Sequence, residues 1–149
     1  MTRTRTHKFF RQHSLSIVSG AILLSWIVLY IFSSPNSHWG AFFGNAIADW
    51  TGMVVVVLAT KFMYEVGSAE SRTPPRRLLS PLGKTVQKHS LTIFLVATGL
   101  GWVLLYLKSN PNSKWGQVVG NIVSEWTQIF GLVILTKRLV EKHSKESGD

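Results

Sequence analysis

Residues 39–51 read WGAFFGNAIADWT, and residues 115–127 read WGQVVGNIVSEWT. Both fit W-G-x-x-x-G-N-x-x-x-[DE]-W-T, and both head a long apolar run. In a helix, four-residue spacing puts Asn45 and Asp49 on one face, and Asn121 and Glu125 likewise. Gly40, Gly44, Ala48 and Gly52 recur at the same spacing in the first stretch, and Gly116, Gly120 and Ser124 in the second. Small residues so spaced let helix backbones approach closely in a membrane. The pattern predicts a membrane-buried polar site on a packing face, with the small residues seating one such helix against the other or against a second subunit.

Working outward, a shift of 76 residues aligns 13–71 with 89–147 without a gap, and 26 of those 59 positions are identical. The identities include His13/His89, Trp26/Trp102, Tyr30/Tyr106, the Pro-Asn-Ser turns and Lys61/Lys137. This is the signature of a duplicated unit. Each unit carries two apolar runs, at 15–32 and 42–59 in the first and at 91–107 and 118–135 in the second. Their lengths lie near the lower end of the roughly 17–25 residues that cross a bilayer as a helix. Pro35 and Asn36 mark a tight turn within the first unit, with Ser37 as the cap of the following helix. The expected fold is all-α: an integral membrane protein of four helices, built from two tandem two-helix repeats. An even number of spans per repeat gives both copies the same orientation, related by a pseudo-two-fold axis along the membrane normal. Asp49 and Glu125 then lie at equal depth and approach each other if the second and fourth spans face that axis.

Composition fits this class. The chain is 46% hydrophobic and 15% charged, where soluble domains carry about a quarter charged residues. The net charge of +9 does not point to nucleic acid, because of where the cations fall. Of sixteen Lys and Arg, only Lys108 and Lys114 lie in the short loops between paired spans. The rest lie in the tails, the central linker and the helix ends beside them. That bias places the N-terminus, linker and C-terminus in the cytoplasm and the protein in the cytoplasmic (inner) membrane. The expected division is a basic tail at 1–12, a first repeat at 13–66, a linker at 67–88, a second repeat at 89–142 and a tail at 143–149. Ser14 is the expected cap of the first helix, the second helix is expected to run to about Glu65, and the Pro/Gly-containing linker to be mobile or surface-lying.

The chemistry-bearing residues are few. There is no cysteine, which excludes disulfides and thiolate sites. No phosphate-binding Gly-rich loop, H-E-x-x-H or G-x-S-x-G motif occurs, so no enzyme, metal or cofactor is expected. A carboxylate within a span costs about 2.5–3.5 kcal/mol or more, and such residues mark ion or proton pathways, structural hydrogen-bond clusters or a position nearer the interface. In the functional reading Asp49 and Glu125 bind a cation or proton and Asn45 and Asn121 orient them. Trp50, Trp126, Thr51 and Thr127 then line or narrow the path. His13 and His89 lack companions for a metal or haem set and are expected as capped, solvated residues, while Lys61 and Lys137 are expected to reach back to the headgroups. The implied partners are the lipid bilayer, a second copy of the chain (a dimer is simplest) and, in the competing reading, a larger membrane complex of which this chain is an accessory or assembly subunit.

The segments LATKFMYEVGSAES at 58–71 and LTKRLVEKHSKES at 135–147 resemble the helix ends of small bacterial integral membrane proteins of uncharacterised function. The second copy departs from the pattern, with His143 where the first has Gly67. The resemblance implies a bacterial membrane protein and no particular activity.

Overall fold

The computed structural model describes residues 2–75 and 80–139, with side chains from Phe9 onward except Arg11. The expected tail at 143–149, the end of the second repeat and the Arg76-Arg77 pair lie outside the described residues. Five helices are present among them: α1 Thr2–Phe32, α2 His38–Phe62, α3 Pro81–Lys88, α4 Ser90–Lys108 and α5 Lys114–Leu135. No strand occurs among the described residues. Four helical stretches are long and apolar enough to cross a membrane: Gln12–Phe32, His38–Phe62, Ser90–Lys108 and Lys114–Leu135. The shortest is about 28 Å at 1.5 Å per residue, close to the thickness of a hydrocarbon core. Their surfaces are apolar: Leu24, Phe32, Leu100, Leu104 and Leu107 are among the exposed large side chains. Water-facing proteins rarely display so much contiguous apolar surface.

The chain divides into two compact units, Met1–Leu58 and Ala59–Asp149. In the first, α1 and most of α2 form a hairpin. α1 does not start at Ser14 but runs through it from Thr2; no Pro or Gly in the preceding residues interrupts the helix. Ser37 closes the hairpin turn. Its hydroxyl accepts from the Gly40 amide at 3.0 Å and donates to the Ser34 carbonyl at 2.7 Å. Trp26 of α1 lies edge-on to Phe42 at 5.7 Å and stacks near Phe43 at 5.9 Å, and Trp39 meets the same two rings. This aromatic cluster joins the helices near the turn.

In the second unit α4 and α5 form another hairpin. Ser113 repeats the role of Ser37, accepting from Gly116 at 3.0 Å and donating to Asn110 at 2.7 Å. Here the cap is the N-cap of α5. Ser113→Ala leaves an amide of the first turn without its acceptor and is expected to cost about 1 kcal/mol, read as a lower unfolding midpoint. The second repeat has valines, Val118 and Val119, where the first has Phe42 and Phe43. Its seam is held by Trp126, which is buried and edge-on to Trp102 at 5.8 Å.

The glycines of the repeat stretch serve each hairpin internally. A Cβ on Gly44 would meet the Tyr30 ring at 3.3 Å, and one on Gly120 the Tyr106 ring at 3.0 Å. A Cβ on Gly40 or Gly116 would fall on the carbonyl of Ser34 or Asn110. These four small residues therefore seat the second helix of each hairpin on its own turn and on the tyrosine of the preceding helix. Ala48 and Gly52 are also buried, whereas Ser124 is exposed.

Between α2 and α4 the linker carries α3 and is tied to the helix ends. α2 ends at Phe62, short of Glu65, and residues 64–66 fit against the junction of α3 and α4. At that junction His89 leaves helical geometry, with φ −119° and ψ 21°. Leu91 N–H donates to the Tyr64 carbonyl at 3.0 Å, and Val66 N–H to the Lys88 carbonyl at 3.0 Å. The Tyr64 N–H donates to Ser90 Oγ at 2.8 Å. Segment 64–66 thus satisfies backbone groups that the helix break leaves open. Gly67, at φ +88°, then turns the chain in a conformation that favours glycine.

Candidate functional site

Asp49 sits in the middle of α2. At 1.5 Å per residue it lies about 16 Å from His38 and about 20 Å from Phe62. Its side chain is exposed, and among the described residues it has no hydrogen-bond or ion-pair partner. Asn45, one turn earlier, is exposed as well, as the four-residue spacing requires. Thr51 donates its hydroxyl to the Ile47 carbonyl at 2.6 Å, so its donor is already engaged within its own helix. Trp50 is half-buried.

In the second unit Glu125 and Asn121 are both half-buried on α5. Glu125 Oε1 accepts from Gln128 Nε2 at 3.3 Å, long for a strong hydrogen bond. Thr127 bonds to the Val123 carbonyl at 2.9 Å. Trp126 is buried. Its indole N–H donates to Thr98 Oγ1 on α4 at 2.9 Å, and Gly99 leaves the space its ring occupies. It is a packing residue of the α4–α5 seam.

Among the described residues the most tightly held ionisable group is Glu65, the expected end of the second helix. The Glu65 side chain is fully buried. Its Oε1 accepts from His89 Nδ1 at 2.6 Å and is ion-paired with Lys137 Nζ. Its Oε2 accepts from the Thr92 N–H at 3.2 Å. Thr92 is the third residue of α4, so the carboxylate caps that helix from outside its own sequence, where the helix dipole favours a negative charge. Glu65 therefore ties together the end of α2, the start of α4 and the residues following α5. The Ser68 and Thr136 hydroxyls, 3.0 Å apart, add a second link to that last segment. Burial pushes the Glu65 carboxyl upward. Hydrogen bonds from Lys137, Thr92 and His89, with the charge of Lys137, outweigh it and hold the group below its usual value.

Two expectations are corrected here. His89 is not simply solvated but partners a buried carboxylate, and Lys137 is held by Glu65 rather than reaching back to headgroups. Lys61, by contrast, is exposed, with its ammonium 5.4 Å from the centre of the Phe62 ring. A signal for the Glu65 cluster was present in the repeat. Glu65, His89 and Lys137 all fall at positions identical between the two copies, with Glu141, His13 and Lys61 as counterparts. No protein-family model matches this chain, and no curated protein or solved structure matches it.

Proposed function

We propose that this is a multi-pass protein of the cytoplasmic membrane, with both termini in the cytoplasm, that moves a cation or proton through one carboxylate per repeat, Asp49 and Glu125. Asn45 and Asn121, one turn away, orient the bound species. The observation that carries the reading is the setting of Asp49: an exposed carboxylate, without a partner among the described residues, at the midpoint of a helix apolar enough to span a bilayer. Left in lipid, it would cost at least about 2.5–3.5 kcal/mol. Water, a proton or a bound cation removes that cost. The acid recurs at the matching position of the other repeat. Assembly of copies, most simply a dimer, supplies a second wall for a wet route.

The same exposed carboxylate also suits an accessory subunit whose larger partner offers a basic side chain. Flux separates the two readings. Purified protein in liposomes is expected to pass protons or monovalent cations, and Asp49→Asn with Glu125→Gln to lower that flux tenfold or more, on the order of 1.4 kcal/mol of barrier or beyond. Equal flux from wild type and double variant removes the carboxylate mechanism. An inert wild type that co-purifies with a partner, and loses it on Asp49→Asn, establishes the accessory reading.

A further inference from the structure

We propose that α3 and the end of α2 form a binding site for an anionic phospholipid headgroup. No residue of α3 is buried. Leu82, 75% exposed, and Val86 stand four residues apart on one side of the helix. Lys84 and Lys88, also four apart, stand on the opposite side, and both are exposed. Ser80 caps the helix, its hydroxyl accepting from Gly83 N–H at 3.2 Å, with Pro81 at the first position. This is an eight-residue helix with an apolar stripe and a cationic stripe, which is the form of a helix lying at a lipid–water boundary.

Its place in the chain fixes its level. One residue, His89, joins α3 to α4, and Val66 N–H, four residues beyond α2, donates to the Lys88 carbonyl at the end of α3. A short helix tied to the ends of two spanning helices lies in the headgroup layer. Between α3 and the end of α2 runs a groove of about 360 Å³, lined by Lys61, Phe62 and Tyr64 on one side and Gly83, Val86 and Gln87 on the other. Phe62 is 68% exposed. Such a groove offers a cation for a phosphate and apolar walls for the first acyl carbons. Lys61, Lys84, Lys88 and Arg72 outnumber the one other acid of the region, Glu70, since the charge of Glu65 is met by Lys137. The complementary surface is anionic lipid.

The proposal rests on the membrane reading above, and its test keeps the two apart. The full chain is reconstituted in phosphatidylcholine vesicles and extracted with alkaline carbonate, then titrated in detergent with short-chain phosphatidylglycerol and with short-chain phosphatidylcholine. Retention in the pellet, preference for phosphatidylglycerol, and a loss of about tenfold or more in that affinity on Lys61→Gln with Lys84→Gln and Lys88→Gln support the site; near a charged surface each lysine is worth about fivefold. The control pair Lys108→Gln and Lys114→Gln leaves the affinity unchanged. A pelleted protein with no preference, or with equal loss in the control pair, overturns the site alone. Tighter binding of poly-glutamate than of phosphatidylglycerol overturns it in favour of an acidic protein partner. Release of the protein by carbonate overturns the membrane reading and the site together.

Discussion

Replacing Glu65 with glutamine lowers stability by about 2–4 kcal/mol. Breaking a buried ion pair by removing one partner costs about 3–5 kcal/mol. The lower range is expected here because the His89 and Lys137 side chains are partly exposed, at 43% and 24%, and regain some hydration. Glutamine retains an oxygen for Thr92 N–H but loses the charge that faces the Lys137 ammonium, the His89 ring N–H and the α4 dipole. The effect is measured as the shift in unfolding midpoint on denaturant titration of the purified protein. It also carries a pH signature. Because the folded carboxyl titrates below its ordinary value of 4.5, its contribution is fully present above that value. It is lost as pH falls through the depressed folded value. The wild-type and Glu65→Gln stability curves therefore run apart at neutral pH and converge in acid. Curves that stay parallel down to strong acid contradict the assignment.

Gly116→Ala is the second large effect, at about 3 kcal/mol. Overpacking costs about 1–3 kcal/mol when side chains can move aside. At Gly116 the obstruction is the Asn110 backbone carbonyl together with the capping hydroxyl of Ser113. The turn must open, and the cap of α5 goes with it. Gly40→Ala meets the same obstruction at Ser34 and Ser37. Gly101 and Gly131 provide the contrast, since a Cβ at either meets nothing within 4 Å. Alanine there is neutral or stabilising by up to about 1 kcal/mol through helix propensity. Equal effects at Gly116 and Gly101 would contradict close seating at the hairpin turn.

The helices were legible because their signals are local. The apolar runs, the Pro-Asn-Ser turns and the capping serines Ser37 and Ser113 are each decided within a few residues, and all appear where those signals put them. Helix ends without a local stop were less legible. α1 passes through Ser14 because nothing in the tail breaks it, and α2 stops at Phe62 because Tyr64 and Glu65 have partners on α4. Those partners lie 26 and 27 residues along the chain, beyond the reach of helical periodicity. The acids Asp49 and Glu125 stood out as single charges in apolar runs. Glu65 did not, since a charged residue past the end of a span is ordinary until the fold buries it. The packing of Trp126 was hidden for a related reason: its neighbour in sequence is an acid, while its ring meets Thr98 and Trp102 on another helix.

The central claim is that two copied hairpins cross one membrane in the same sense. The chain contains no cysteine, so single cysteines report position without background. Cysteines placed singly at Asn36, Asn112 and Gln87 are treated with a membrane-impermeant maleimide on intact spheroplasts. The account predicts labelling at Asn36 and Asn112, the tips of the two hairpins, and protection at Gln87 until the membrane is opened. Labelling at Asn36 with protection at Asn112 would contradict it.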